Sequence, residues 1–353
     1  MISTVKPYNG SGSGFTDYAY QLIKHIKPLL SKNDSIDELY AIKEVKKNNI
    51  AGLIKTNTIF KRKIALIPSD RYDIIHITDQ EIGFVAKMLK GAHNSAKIIT
   101  TVHDLTRFEK GLHRGIMQNA YNKLVRDSTV AAIRYSDTVL CNSSQTYKTM
   151  KEKFPALENL ILVPNGIDNK FFKTAKLRKH NKNEKFIIGY IGALAYHKNV
   201  IFILETAEML KNDSSYRFEI YGKGPELTEL TRFKKRHRLS NVEFMGYAPE
   251  RDKIKVYDGF DVFIFPSLYE GLGLPILEAQ ARGLPVIIYK NSNLPKEVTK
   301  LCINANSPIE AAHAIHLAVE IGQNVGVRKA EIRHAKGFIW SKTAKKTLEM
   351  YKG

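Results

Sequence analysis

Short runs of β-branched and apolar residues alternate with longer amphipathic runs along the whole chain. This alternation is typical of parallel sheets whose strands are joined by crossover helices. Two successive blocks of this alternation predict an α/β protein with two Rossmann-like, doubly wound domains that face each other across a cleft. Sheets of this kind bind ligands beyond the carboxyl ends of their strands, so the cleft is the predicted ligand-binding site. The predicted strands are 3–7, 39–42, 58–65, 73–77, 97–102, 138–141, 160–163, 185–191, 217–221, 242–245, 262–265, 285–288 and 301–303.

Prolines and a capping pair mark several helix starts. Pro225, Pro249 and Pro275 each follow a turn or a strand end and suit the first position of a helix. Ser307 and Glu310 form a capping box at the start of a helix predicted over 309–321. Further helices are predicted at 16–30, 82–89, 115–134, 144–153 and 200–210.

The composition is that of a globular protein without a disulfide framework. With 353 residues, 43% of them apolar and 25% charged, the chain is long enough for two domains with separate cores. Its two cysteines, Cys141 and Cys302, stand in no metal-ligand spacing. The first ten residues lack the apolar run of a signal peptide, so the prediction is a cytoplasmic protein.

The net charge of +20 is divided equally between residues 1–175 and 176–353. Proteins that bind nucleic acid more often concentrate their charge in one stripe or tail, so no nucleic-acid partner is predicted. The densest basic cluster, 170–185, is interpreted as a solvated connection between the domains. A diffuse positive field suits anionic substrates and peripheral attachment to an anionic membrane surface, here the inner membrane face.

Residues 267–285, SLYEGLGLPILEAQARGLP, carry the strongest indication of a binding site. Pro275 predicts a helix start, so Glu270 lies on the preceding loop and Glu278 at the end of the first helical turn. Between the acids, Gly271 and Gly273 leave backbone amides uncovered at a helix N-terminus, which favours an anion such as phosphate. Two carboxylates around a phosphate site predict a ligand with phosphate and hydroxyl groups, such as a sugar nucleotide.

Lys198 follows a predicted strand and a turn that contains Gly192. At this point it can supply a cation to phosphates held by the amides of 271–273. The alternative is an ordinary solvated lysine at a helix start, where the helix dipole mildly disfavours a positive charge. The sequence does not decide whether His197, beside it, is a binding residue or a structural one.

Two features of the first half also follow predicted strands. Gly12, Ser13 and Gly14 lie in a glycine-rich turn, where glycine lets the backbone approach a ligand closely. The turn lacks the third glycine of G-x-G-x-x-G, which argues against a dinucleotide fingerprint. His103 stands at a strand end, where histidine can orient a sugar hydroxyl or shuttle a proton, although a single strand-end histidine is more often structural.

Gly222, Gly246 and Tyr247 follow strands of the second half, where turns can hold a base or a ribose through backbone groups. Because every doubly wound domain needs turns there, this indication is weak. The chain contains no Asp-x-Asp pair that could hold a metal ion on a diphosphate, so neither a metal nor a cofactor is predicted. Backbone amides and Lys198 would then meet the charge on a departing diphosphate.

Taken together, the motifs resemble the retaining GT-B-fold glycosyltransferases of the glycogen-synthase and mannosyltransferase type, the E-x7-E family or glycosyl transferases group 1. The resemblance extends over nearly the whole chain and is most specific at 266–287. It is carried by the E-x7-E element from Glu270 to Glu278, Lys198 after Gly192, PNGID at 164–168, His103-Asp104 and the turn at 10–14.

This resemblance implies an acceptor domain at 1–168, a connection at 169–185 and a nucleotide-sugar donor domain at 186–336. It also implies that the C-terminal helix at 337–353 returns to the first domain.

The resemblance assigns roles to individual residues as well. Glu278 would bind the ribose hydroxyls, Glu270 the donor sugar and Lys198 the diphosphate. The amides of Gly273 and Leu274 would lie beside the diphosphate. His103 would contact the sugar, and the loop at 12–14 would approach the phosphates or the acceptor. The remaining donor-site candidates are Gly271, Gly192, His197, Gly222, Gly246 and Tyr247.

The chain departs from the family at Ala193, where an arginine is usual. The diphosphate would lose a bidentate cation there, which leaves donor identity, rate and the residue that replaces the arginine open.

The resulting prediction is a metal-independent, retaining glycosyltransferase that moves a hexosyl group from a nucleotide sugar to a hydroxyl of a glycan or a lipid-linked saccharide. Two alternatives stay open: another GT-B activity, such as a sugar-nucleotide epimerase or a phosphorylase, and a basic binding scaffold with a degenerate site. The sequence does not choose among UDP, GDP and ADP donors. It also leaves the donor sugar, acceptor, linkage and oligomeric state open.

Overall fold

The computed structural model describes residues 1–5, 14–42, 61, 64–65, 71–92, 95–109, 111, 116–173 and 184–352. The chain divides into two compact units. Unit 1 comprises Met1–Gly166 together with Trp340–Gly353, and unit 2 comprises Ile167–Ile339. Each unit contains a parallel sheet, so the predicted α/β class is confirmed.

The sheet of unit 1 has six strands in the order β2-β1-β3-β4-β5-β6. Ile98 and Ile99 are neighbours on β4 and belong to different core clusters, so both faces of the sheet are buried. Strands buried on both faces take near-continuous apolar sequences, which is why they are readable from the chain. The strands are β1 (Ile2–Val5), β2 (Leu39–Ile42), β3 (Ile74–Ile77), β4 (Lys97–Val102), β5 (Thr138–Cys141) and β6 (Leu160–Leu162), and the helices are α1 (Gly14–Ile26), α2 (Phe84–Gly91), α3 (Ile116–Tyr135) and α4 (Ser144–Lys153).

Unit 2 contains a second six-stranded parallel sheet, in the order β12-β11-β10-β7-β8-β9. Its strands are β7 (Phe186–Ile191), β8 (Tyr216–Tyr221), β9 (Val242–Gly246), β10 (Val262–Phe265), β11 (Val286–Tyr289) and β12 (Ile303–Ala305). Its helices are α5 (Val200–Met209), α6 (Leu227–Arg236), α7 (Lys253–Asp258), α8 (Leu274–Ala281), α9 (Lys296–Thr299), α10 (Pro308–Gly322) and α11 (Val325–Ala335). This strand order reverses between β7 and β10, as in a dinucleotide-binding fold.

The last helix, α12 (Trp340–Lys352), belongs to unit 1 although it follows unit 2 in the chain. Trp340 and Ala344 pack against Tyr18 and Leu22 of α1 in one buried cluster.

Arg282 ties the end of α8 to two other parts of unit 2, with its side chain almost fully buried. Its Nε and Nη2 donate to the two carboxylate oxygens of Asp258 at 2.7 and 3.0 Å. Its Nη1 donates to the carbonyls of Phe171 and Lys173 at 2.9 and 2.5 Å. The segment interpreted from the sequence as a solvated connection is therefore anchored to unit 2 at its start, while residues 174–183 lie outside the described ranges.

The structure corrects two predicted helix starts. Helix α6 begins at Leu227 and α7 at Lys253, later than Pro225 and Pro249. The amide of Leu227 closes a turn on the carbonyl of Gly224, with Pro225 at its second position, which suits proline as well as a helix start does. The strand predicted at 58–65 is also wrong where it can be judged, because residues 61, 64 and 65 are helical. The capping box is confirmed in its serine half, since the Ser307 side chain accepts the amide of Glu310, whereas Glu310 Oε2 accepts the amide of Asn306 at 2.8 Å and not that of Ser307.

In the parts of the chain that the structure describes, no helix is both long enough and apolar enough to cross a lipid bilayer.

Candidate functional site

The strand order of unit 2 brings Lys198 and Glu270 together. Because β7 and β10 are neighbours whose following connections diverge to opposite sides, the loops leaving their carboxyl ends open a crevice at this edge. Lys198 ends the turn after β7 and Glu270 lies on the loop after β10. Lys198 Nζ donates to Glu270 Oε1 at 2.5 Å, and the two side chains keep 16% and 13% of their exposure. The pair is thus largely buried but accessible.

The loop that carries Glu270 is held by backbone hydrogen bonds on both sides. The amide of Leu268 donates to the carbonyl of His197 at 2.8 Å, which ties this loop to the turn of Lys198. The amide of Asn293 donates to the carbonyl of Leu268 at 2.8 Å, and the amide of Glu270 donates to the carbonyl of Asn293. His197, a sequence candidate, therefore contributes to the site through its main chain.

Ser267 was not among the predicted site residues. It is fully buried, and its hydroxyl donates to Glu270 Oε1 at 2.6 Å. Its position within the 267–285 stretch was the available signal, but a serine at a strand end has too many ordinary uses for the sequence to single it out.

The glycine turn before α8 has the backbone expected of an anion site. Gly273 adopts φ +90°, a left-handed conformation that glycine reaches without a steric penalty, and it caps α8. Among the described residues, the amides of Gly271, Gly273 and Leu274 donate no hydrogen bond. Such amides at a helix start attract a negative group. The eight residues of α8 follow directly after this turn.

Glu278 is separated from Glu270 and has different partners. It is buried on α8, where the Tyr257 hydroxyl donates to its Oε2 at 2.8 Å and Lys253 Nζ lies 3.4 Å from its Oε1. Burial raises the pKa of Glu278, with Lys253 opposing the effect. Although burial disfavours the charge on Lys253, Glu278 and Glu250 raise its pKa, so the two carboxylates share a firmly protonated lysine. The sequence predicted neither Tyr257 nor Lys253, since α7 carries no motif.

The glycines at the ends of β7 and β8 serve close packing of the chain on itself. The amide of Gly192 donates to the carbonyl of Tyr221, and that of Gly222 to the carbonyl of Gly246. A Cβ on Gly222 would lie 1.9 Å from the carbonyl oxygen of Gly192. The amides of Gly192 and Gly222 are consequently engaged within unit 2, and the donor-site roles of Gly192, Gly222 and Gly246 stay predictions.

Tyr247 stands out at the same edge because 51% of it is exposed. The ammonium of Lys223 lies 5.5 Å from the centre of its ring. Gly246, directly before it, has φ +77° and ends β9. The aromatic ring is thus presented to solvent beside a cation, as a planar base would need it.

Ala193, where the sequence resemblance expects an arginine, is exposed. Its carbonyl accepts a hydrogen bond of 2.9 Å from the Tyr190 hydroxyl. Among the described residues, Lys198 is the cation that forms an ion pair with Glu270.

In unit 1, His103 is buried at the end of β4. Its Nε2 donates to the carbonyl of Thr78 at 2.8 Å, and its ring meets Tyr18 edge-on at 4.7 Å. Burial lowers the pKa of His103 despite opposing contributions from Thr78, Asp79 and Asp104, so the ring is neutral with its proton on Nε2. The structure thus gives His103 a packed position in which Nδ1 is the ring nitrogen without a proton.

Gln80 is a further unit 1 residue that the sequence did not indicate. Its buried side chain accepts the amide of His103 at 2.7 Å and donates to the carbonyl of Asp104 at 2.7 Å, and so it fixes the backbone around the histidine. Of the predicted glycine turn, Gly12 and Ser13 lie outside the described residues, and Gly14 begins α1.

The two sheets, with Lys198 and Glu270 at the switch point of the second, can be compared with known families. A family model named Glycosyl transferases group 1 matches residues 172–334, and one named Glycosyltransferase Family 4 matches residues 38–171. The chain belongs to the group 1 glycosyltransferases. The resemblance stated from the motifs is thereby confirmed.

Similar proteins are glycosyltransferases with different names. O-antigen chain mannosyltransferase B of Escherichia coli is 26% identical over 279 residues, which cover 77% of this chain and 64% of the relative. The D-inositol 3-phosphate glycosyltransferase of Corynebacterium aurimucosum is 24% identical over 306 residues, covering 79% of this chain and 71% of the relative. The chain therefore matches about two thirds of the length of these relatives.

Solved structures share the fold of this group 1 glycosyltransferase. Sucrose-phosphate synthase from Thermosynechococcus elongatus gives a TM-score of 0.74 at 18% identity, and the superposition covers 99% of this chain and 98% of the synthase chain. Anabaena HepE in complex with UDP-glucose gives a TM-score of 0.73 at 16% identity, with 100% and 99% covered. These likenesses confirm the GT-B fold.

Proposed function

We propose that this glycosyltransferase moves a hexosyl group from a nucleoside-diphosphate sugar to a hydroxyl of a glycan or a lipid-linked saccharide, with retention of configuration and without a metal ion. The observation that supports this most is the contact between Lys198 and Glu270 beside the uncovered amides at the start of α8. One ammonium and several amides suit a diphosphate, and a carboxylate next to them suits the hydroxyls of the attached sugar.

In the proposed reaction the bond between the anomeric carbon and the diphosphate oxygen breaks as a bond to the acceptor oxygen forms on the same face. The acceptor proton passes to an oxygen of the departing diphosphate. Lys198 and the amides of 273–274 stabilise the charge that develops there, which is the part of catalysis to which preorganised donors contribute most. Glu270 orients the sugar.

Metal independence is proposed because the chain supplies its own cation at the diphosphate and lacks an Asp-x-Asp pair. In this proposal Glu278 binds the ribose hydroxyls of the nucleotide, and the base packs against the ring of Tyr247. HepE, which has the same fold, has been solved with UDP-glucose bound. For the acceptor, the net charge of +20 suits a substrate presented at an anionic membrane surface.

Transfer is tested by incubating the protein with UDP-, GDP- and ADP-hexoses and a panel of saccharides. We expect one base to be preferred, free nucleoside diphosphate to appear together with an elongated acceptor, the new linkage to keep the anomeric configuration, and EDTA to leave the rate unchanged. Binding of the preferred diphosphate should also raise the melting temperature, since a ligand of the native state stabilises it. An interconverted sugar nucleotide without elongation would indicate an epimerase, phosphate-dependent cleavage a phosphorylase, and no stabilisation by any diphosphate a scaffold.

Glu278→Ala is expected to raise the donor KM by about 10–100-fold, the range for losing hydrogen bonds to a charged group, while kcat changes less than about threefold. The reason is that ribose contacts are made equally in the ground state and the transition state. Initial-rate kinetics over a range of donor concentrations measures both constants. Glu320→Ala, which removes an exposed carboxylate from α10, is the control and should match the wild type. A loss confined to kcat would argue against ribose binding by Glu278.

A further inference from the structure

The hydroxyl of Ser267 has one hydrogen and three acceptors within reach. They are Glu270 Oε1 at 2.6 Å, the carbonyl of His197 at 3.1 Å and the carbonyl of Tyr269 at 3.3 Å. The carboxylate is both the nearest and the strongest acceptor, and 2.6 Å is the usual length of a hydroxyl bonded to an ionised oxygen. The Ser267 hydroxyl therefore donates its hydrogen bond to Glu270 Oε1.

Ser267 and Lys198 bond the same oxygen of Glu270. Within the described part of the chain, both partners of the carboxylate contact Oε1. This arrangement fixes the rotation of the carboxylate, so Oε2 and the remaining hydrogens of Lys198 are directed by the protein before a ligand arrives. A carboxylate bonded by the lysine alone could rotate and exchange its two oxygens.

Packing and backbone hydrogen bonds around Ser267 fix the position of its hydroxyl. Ser267 has no exposed surface and directly follows Pro266 at the end of β10. The next residue, Leu268, is bonded through its amide to the turn that carries Lys198. The phenyl ring of Phe265 lies under the ammonium of Lys198, 5.6 Å from its centre. The hydroxyl, the lysine and the acid thus share one small framework.

We propose that Ser267 is a positioning residue that holds Glu270 and Lys198 in the orientation required for transfer. This inference rests on the proposed function, because its consequence is expressed in the transfer rate. A displacement of about 1 Å at a reacting centre can cost on the order of 100-fold in rate. Loss of the hydroxyl should accordingly lower kcat and leave nucleotide binding nearly intact, since the amides at the start of α8 do not depend on it.

The test compares Ser267→Ala with Ser267→Thr, which keeps a hydroxyl. We expect Ser267→Ala to lower kcat by about 10–100-fold with the donor KM within about threefold of the wild type, and Ser267→Thr to recover most of the loss. Stabilisation by the preferred nucleoside diphosphate should remain within about twofold. Thr206→Val is the matched control, because it removes a fully buried hydroxyl that, among the described residues, is bonded only to the carbonyl of Phe202 in its own helix.

An unchanged kcat in Ser267→Ala overturns the proposal, and so does an equal loss in Thr206→Val, which would indicate a general effect of deleting buried hydroxyls. Crystal structures of Ser267→Ala and the wild type provide a reading that needs no turnover. We expect the contact between Lys198 and Glu270 Oε1 to be lost or shared between both oxygens in the variant, and its retention would contradict the proposal. If the wild type transfers no sugar, the proposed function fails, while the crystal structures still decide the role of Ser267.

Discussion

Lys198→Ala and Glu270→Ala are each expected to abolish turnover, with kcat reduced about 1,000-fold or more. Without Lys198 the departing diphosphate loses its ammonium, and without Glu270 the donor sugar loses a carboxylate held at a fixed orientation. The two variants should differ in binding. Lys198→Ala should weaken stabilisation by nucleoside diphosphate, whereas Glu270→Ala should preserve it, because the acid is assigned to the sugar. Steady-state rates and melting temperatures with and without diphosphate measure both effects.

Lys148→Ala is the control for this pair of variants. It removes one positive charge from an exposed pair with Glu152, 3.8 Å apart on α4, and should leave rate and binding unchanged. Circular dichroism of all variants shows whether they remain folded. Wild-type turnover by Lys198→Ala would remove this lysine from the diphosphate site, and loss of diphosphate binding by Glu270→Ala would argue against its assignment to the sugar.

Arg282→Met is expected to lower the free energy of unfolding by about 3–5 kcal/mol, the range for removing one partner of a buried ion pair. The reason is that the carbonyls of Phe171 and Lys173 would lose an almost fully buried donor, and Asp258, whose side chain is 24% exposed, would lose its partner. Urea unfolding followed by circular dichroism measures the change. Trp340, the single tryptophan, reports unit 1 by fluorescence, so the larger shift should be in the dichroism signal that includes unit 2.

Arg251→Met serves as the matched control, since this arginine is 87% exposed and lies 3.6 Å from Asp252. An exposed pair contributes about 0–1 kcal/mol, so the control should unfold close to the wild-type midpoint. Arg282→Lys should be intermediate, because an ammonium keeps the charge but cannot serve Asp258 and two carbonyls with the same geometry. Equal stability of Arg282→Met and Arg251→Met would show that the buried guanidinium is not needed for folding.

The sequence was most informative where local pattern and function coincide. Strands such as β4 and β10 were predicted at their observed bounds because buried parallel strands are short, apolar and bounded by turns. The site of Glu270 and the start of α8 followed from glycines and a proline within a few residues. The helix starts predicted at Pro225 and Pro249 were wrong because both prolines lie in turns that precede the helices.

Side-chain partners across the fold were not predictable in the same way. Lys198 and Glu270 are 72 residues apart, and the sequence indicated only that both follow strands of one sheet. Tyr257 and Lys253 carry no motif, yet they surround Glu278, because α7 packs beside α8. The sequence also carried no indication that the amides of Gly192 and Gly222 bond to the carbonyls of Tyr221 and Gly246.

The sequence by itself determined that this chain forms two α/β units that each contain a parallel sheet, that it belongs to the group 1 glycosyltransferases, and that its candidate chemistry lies at strand ends. These properties follow from hydrophobic periodicity and from motifs a few residues long, which the chain carries locally. Only the tertiary structure decided that Ser267 and Lys198 share one oxygen of Glu270, that Glu278 is buried against Tyr257, and that Arg282 anchors the start of unit 2. Such pairings depend on how elements distant in sequence pack together, so the local sequence pattern does not predict them.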